Sequence, residues 1–225
     1  MSNSFSPRLD VLPASQLALW PELAQVPREF VLYGGTAIAL HLGHRESVDF
    51  DFFGDRPLDT GSLTLAIPFL NGAVVTHRAP DTLSCTVERG GPVKLSFFGL
   101  PEIPRLRPPH VAPGNGLQVA SLLDLAGTKV AVVQQRAEAK DYIDIDAMLV
   151  DGRVGMLRAL AAARAIYGKS FNPQITLKAL CYFDDGGLRS LPATLKKRLM
   201  QAVAAVELDQ LPALAASLQL KGARP

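Results

Sequence analysis

The stretch that decides the fold runs Tyr33-Gly34-Gly35-Thr36-Ala-Ile-Ala-Leu-His-Leu-Gly-His-Arg-Glu-Ser-Val48-Asp49-Phe50-Asp51-Phe52-Phe53. Ahead of it, Phe30-Val-Leu-Tyr33 is a short β-prone apolar run that stops at the glycine pair. Thr36 is a candidate N-cap for a helix over Ala37–Leu42, which Gly43 ends. Val48–Phe53 alternates as a strand does. Asp49 and Asp51 therefore share one face, while Val48, Phe50 and Phe52 share the other and can enter a core.

Two carboxylates held side by side repel each other, and burying them unpaired is costly. A divalent cation between them resolves the conflict. Magnesium prefers oxygen ligands and takes one or two carboxylates plus substrate phosphates. The glycine pair adds a second element. Glycines let the backbone approach a phosphate closely, and the free N–H groups of a helix start favour an anion. Each part alone has a plainer explanation: a surface strand with two solvated aspartates, or a tight turn with no ligand. The spacing matches neither a Walker loop nor a dinucleotide fingerprint. Their combination at this separation is the specific signal.

Outward from this stretch, Ser15–Leu23 has helical periodicity until Pro27 breaks it, and Leu63–Leu70 follows a capping-type Ser62. Ala73–His77, Thr82–Glu88 and Val93–Phe98 read as strands, the last two joined by a Gly90-Gly91 hairpin turn. The proline-rich segment Leu100–Gly116 reads as an irregular connection to a helical second half. There Ala120–Arg136, Asp141–Val150, Val154–Tyr167, a segment capped by Asn172-Pro173, and a segment from Pro192 through Val206 carry helical patterns. The tail after Gly222 is expected to fray.

The chain has 225 residues, 48% apolar and 20% charged, the balance of a globular protein with a real core. Its net charge of +2, from 23 basic and 21 acidic residues, neither demands nor excludes nucleic acid. No stretch is apolar for long enough to cross a bilayer, and Met1–Asp10 lacks the hydrophobic core of a secretion signal, so a cytoplasmic protein is expected. Cys85 and Cys181 form no metal-like spacing and read as reduced, packed thiols.

Gly34-Gly35, thirteen residues, then Asp49-Phe50-Asp51 resembles the signature of the polymerase-β-type nucleotidyltransferase superfamily. Arg45, Ser47, Asp49 and Asp51 match the Arg-x-Ser-x-Asp-x-Asp run of one branch, the AbiEii/AbiGii toxin family. Lys129, Arg136, Lys140-Asp141 and Asp144 fit its second block. The resemblance implies an α+β fold: a small mixed sheet flanked by helices over 1–116, then a helical bundle over 117–225 that closes the active cleft. It implies transfer of a nucleoside monophosphate from an NTP, with loss of pyrophosphate, to an acceptor that in some members is a tRNA 3′ end. It also implies a cognate antitoxin. Carried over, Asp49 and Asp51 are magnesium ligands. Gly34, Gly35 and Thr36 contact the triphosphate, and Arg45 and Ser47 border it. Lys129 neutralises phosphate charge, Arg136 grips phosphate, and Asp144 positions Lys129 or the attacking group.

One departure stands out. Such enzymes usually add a third carboxylate from a later strand, and the matching position is Ser96. Glu88 is acidic but belongs to the preceding strand. Ser96 motivates a second reading, a nucleotide- or partner-binding module with weakened catalysis; the strand motif, which antibiotic nucleotidyltransferases share, gives a third, an antibiotic-type enzyme acting on small molecules. On the helix, Lys129 and Arg136 are seven apart and fall on nearly one face, and Asp141 has Lys140 or Arg136 as structural partners. His41 and His44 are three apart and could join Asp49 at a zinc site, but Gly43 interrupts the helix and no third nitrogen or sulfur ligand follows.

Overall fold

The computed structural model describes residues 5–218, so the expected fraying after Gly222 lies outside the described residues. In chain order the elements are α1 (Ala14–Leu19), β1 (Phe30–Tyr33), α2 (Gly34–Leu42), β2 (Asp49–Gly54), α3 (Thr60–Ala66), β3 (Val74–Ala79), β4 (Thr82–Glu88), β5 (Pro92–Gly99), β6 (His110–Val111) and β7 (Gln118–Val119). The helices α4 (Leu122–Val132), α5 (Ala139–Asp151), α6 (Met156–Tyr167), α7 (Pro173–Ala179) and α8 (Ala193–Ala204) follow. The chain divides into two compact units. One holds the chain as far as Ile103 together with Pro108–Ser121, and the other holds Pro104–Arg107 and Leu122–Ser217.

The first unit is a mixed sheet of order β3-β4-β5-β2-β1-β7-β6. Strands β1 and β2 are antiparallel, and β2 and β5 are parallel. All four residues of β1 are buried, because the strand sits between β2 and β7 and is covered on both faces. Along β2 and β5 every second residue is buried. Phe50 and Phe52 on β2 and Val93, Leu95 and Phe97 on β5 are fully enclosed. The rings of Phe52 and Phe97 stack with centroids 4.9 Å apart, and Phe30 meets Phe97 edge-on at 5.4 Å. Val48 departs from its expected place: it precedes the first paired residue of β2 and is 55% exposed.

The local signals account for most boundaries. Gly43 ends α2 in the left-handed region at φ 67°, which glycine adopts without steric cost. The expected Leu63–Leu70 helix is split. Asp59 caps α3 by accepting from Ser62 N, and the chain leaves the helix at Ile67, the residue before Pro68. Asn172 caps α7 by accepting from Gln174 N, with Pro173 in the first turn. Ala120–Arg136 yields a shorter helix than expected, because α4 stops at Val132 and turns follow.

In the second unit α4 and α6 approach very closely. A Cβ on Gly127 would lie 2.9 Å from Ala162 Cβ and 3.0 Å from backbone atoms of Ala162 and Ala163. The alanine-rich pattern of α6 is thus what a backbone-to-backbone contact needs. Thr176, fully buried on α7, donates to Val130 O at 2.7 Å and accepts from Gln134 Nε2 at 2.8 Å, satisfying a carbonyl near the end of α4. Tyr142 on α5 donates to Ala179 O at 2.9 Å. Of the two cysteines, Cys85 is buried, and burial pushes its thiol up to about 11. Cys181 is exposed, contrary to its expected packing, because it follows the last turn of α7.

Candidate active site

The site in the sheet unit is built by the turn from β1 into α2. Antiparallel pairing sets Tyr33 opposite Asp51, so the chain leaves β1 beside the second aspartate. The next residue, Gly34, has φ +72°. A Cβ there would lie 2.5 Å from Asp51 Oδ2. Only glycine satisfies both demands, and its backbone lies directly against the carboxylate. Gly35 is constrained from another side: its Cβ would collide with the Arg45 guanidinium and lie 3.1 Å from Ser47 Oγ. The glycine pair, Arg45, Ser47 and Asp51 therefore form one constellation.

Asp49 and Asp51 are half-buried and alternate with fully buried Phe50 and Phe52, so the two carboxylates share a face. Helix α2 begins at Gly34, and its N-cap Tyr33 makes no side-chain capping bond. First-turn N–H groups have no intrahelical acceptor, which suits an anion. Thr36 is corrected in role. It is not the N-cap but lies inside the first turn, fully buried, with its hydroxyl donating to Asp49 O. That bond ties α2 to β2 and leaves only the Thr36 backbone N–H for a phosphate.

No group of three or more His, Cys, Asp or Glu side chains among the described residues is spaced to hold a metal ion. Two carboxylates on one face, beside a glycine whose missing Cβ leaves the space open, fit a hard cation that completes its shell with phosphate oxygens and water. The zinc alternative has no such support. His41 Nε2 lies 2.9 Å from Ala120 O, and its ring packs against Phe5 and His110 at centroid distances of 4.7 and 5.3 Å.

The register brings in a residue that reading the sequence missed. Strand β5 pairs with β2 so that Ser96 stands opposite Asp51 and Lys94 opposite Asp49. Alternation over Val93–Phe98 already put Lys94 and Ser96 on one side of a strand. Their alignment with the aspartates depended on a long-range pairing with no local signal. Ser96 bonds Ser84 of β4, Oγ to Oγ at 3.2 Å.

The second unit holds the other expected residues. Lys129 on α4 is buried, with its ammonium 2.8 Å from Asp141 Oδ1 and 3.0 Å from Asp144 Oδ2 of α5. Both carboxylates are fully buried. Arg136 is not on the Lys129 helix as expected but in the connection after it. It grips Asp141 through Nε and Nη2 at 2.8 and 3.1 Å. Burial pushes the Asp141 carboxyl up, but the bonds from Arg136 and Lys129 outweigh it and hold it below the usual carboxylate range. Lys140 pairs with Glu138 at 3.0 Å, not with Asp141. A further buried carboxylate, Asp124, was not anticipated. In the first turn of α4 it accepts from Leu106 N at 2.7 Å and Arg107 N at 3.2 Å, anchoring the proline-rich connection.

A paired-aspartate strand beside a glycine bend at a helix start, in a small mixed sheet, is the arrangement that the resemblance to nucleotidyltransferases led us to expect. Comparison with known proteins carries this further. Residues 22–219 match the family described as nucleotidyl transferase AbiEii toxin, type IV toxin–antitoxin system, and the chain belongs to that family. It is 30% identical over 159 residues to the uncharacterized protein aq_aa25 of Aquifex aeolicus, covering 70% of this chain and 75% of that one. Its fold is similar to that of the nucleotidyltransferase toxin MenT4 of Mycobacterium tuberculosis H37Rv, with a TM-score of 0.58, 14% identity, and coverage of 86% and 85% of the two chains. It is also similar to the crystal structure of a proposed nucleotidyltransferase of H. pylori, with a TM-score of 0.52, 16% identity, and coverage of 88% and 96%. Among the described residues, no helix is long and apolar enough to cross a membrane.

Proposed function

We propose that this toxin-family nucleotidyltransferase transfers a nucleoside monophosphate from an NTP to the 3′ end of a tRNA in a magnesium-dependent reaction, and that a cognate antitoxin counters it in the cytoplasm. The observation that carries the reading is the Gly34 backbone lying against Asp51, with Arg45 and Ser47 against Gly35. It supports a phosphate cradle and a cation site sharing one wall.

Asp49 and Asp51 would hold the ion, which would supply positive charge to polarise the α-phosphate and screen the leaving pyrophosphate. The N–H groups of Gly34, Gly35 and Thr36 donate to the triphosphate oxygens, and Arg45 and Ser47 add a guanidinium and a hydroxyl. The acceptor oxygen forms a new bond to the α-phosphorus as the bond to the bridging oxygen of pyrophosphate breaks. The hydroxyl proton passes to a site carboxylate and then to water. In the helical unit Asp141 and Asp144 hold the Lys129 ammonium in a fixed place, and Arg136 is anchored by Asp141. We assign Lys129 and Arg136 to phosphate charge, with Asp144 as the residue that positions Lys129.

The test is incubation with each α-labelled NTP, magnesium and total RNA. Wild-type protein labels RNA, while Asp49→Asn and Asp51→Asn lose more than about a hundredfold in rate. Equal labelling by all three proteins rejects the mechanism. Ser96 at the third-carboxylate register favours one other reading, a binding module with weakened turnover. That reading predicts nucleotide binding without transfer in the same assay.

A further inference from the structure

The nucleotide cradle occupies one flank of the aspartate strand. Gly34 and Gly35 follow directly from β1, which pairs with β2 on that side. The other flank is β5, with β4 beyond it. Here Lys94 stands opposite Asp49 and Ser96 opposite Asp51. Cross-strand neighbours share a face, and adjacent strands lie about 4.8 Å apart. The same face continues on β4 with Thr86 opposite Lys94 and Ser84 opposite Ser96. Lys94 is exposed, between buried Val93 and Leu95. The face therefore reads, from β1 outward, glycine bend, carboxylates, then one ammonium among three hydroxyls.

In-line phosphoryl transfer sets the attacking and leaving oxygens on opposite sides of the α-phosphorus. With the β- and γ-phosphates held on the β1 flank, the attacking hydroxyl enters from the β5 flank. An anionic acceptor is attracted to Lys94, whereas a polycationic small molecule such as an aminoglycoside is repelled by it. We propose that Lys94 is an acceptor-side specificity residue. Its ammonium grips the phosphodiester next to the attacking hydroxyl, so the site selects a nucleic-acid end over a cationic small molecule. This rests on the nucleotidyl-transfer reading.

The full chain with magnesium and NTP is assayed on an unmodified tRNA transcript ending in 3′-CCA, as wild type and as Lys94→Ala, Lys94→Glu and Lys94→Arg. Binding of the transcript and of a fluorescent nonhydrolysable NTP is measured separately across a salt series. Lys94→Ala is expected to raise the transcript KM and Kd about tenfold and to lower the slope of log affinity against log salt by about 0.7–0.9. Lys94→Glu goes further, and Lys94→Arg stays near wild type. Nucleotide Kd is the same in all four proteins. An unchanged transcript KM and salt slope overturns the proposal. So does a weakened nucleotide Kd with an intact transcript KM, which moves Lys94 to the triphosphate, and so does a wild-type chain that does not bind the transcript. If the wild type binds transcript and nucleotide but transfers nothing, the transfer reading fails, and the transcript salt slopes still decide the role of Lys94.

Discussion

At the residue scale, Gly34 joins backbone geometry to chemistry. Its positive φ costs a non-glycine residue about 1–2 kcal/mol, and its missing side chain leaves room for Asp51 Oδ2. Gly34→Ala is expected to lower stability by at least that amount and to displace the Asp51 carboxylate. Nucleotide affinity measured with magnesium should fall well beyond what the loss of stability explains. An alanine variant that binds nucleotide as wild type does would show that the bend is only a turn. The glycine pair was legible in the sequence because both its neighbours are local signals. The burial of the Thr36 hydroxyl on Asp49 O was not, because it depends on how α2 lies against β2.

At the element scale, α4 and α6 show what composition reveals and what it leaves open. The alanine run of α6 is visible as helix propensity. That the run faces Gly127 is a packing fact. In an exposed helix Gly→Ala gains about 0.8–1 kcal/mol. At Gly127 the added methyl meets backbone that cannot turn aside, and we expect Gly127→Ala to be destabilising by about 1–3 kcal/mol. The denaturant midpoint reads the sign directly, and a rise would mean that the two helices separate at little cost. Arg136 teaches the same lesson. A heptad spacing from Lys129 put both on one helix face. The helix ends at Val132, and the two side chains meet on Asp141 instead.

At the scale of the whole molecule, the chain carries its ionisable clusters in separate units. Buried Asp141, held by Arg136 and Lys129, ties stability to pH. The folded state holds the Asp141 carboxyl below its ordinary value, so its contribution is fully present above about pH 4 and is lost as pH falls through the lower folded value. Denaturant midpoints between pH 7 and pH 2 should decline over that acid range. Asp141→Asn should remove part of the slope and cost about 3 kcal/mol at pH 7, since Lys129 loses one of two buried partners. A variant with the wild-type acid profile would place the titrating group elsewhere.

The sequence alone determined the strand–glycine–helix turn, the shared face of Asp49 and Asp51, and the block of charge around Lys129. These follow from periods of two and 3.6 residues and from the freedom of glycine, all local properties of the chain. Only the tertiary structure decided that Ser96 and Lys94 flank the aspartates, that Thr36 is spent on β2, and that Lys129 sits between two carboxylates. Parallel pairing of β2 with β5 and packing of α4 on α5 join residues distant along the chain. Their register is set by which apolar faces must be buried together, and no short window of sequence contains that information.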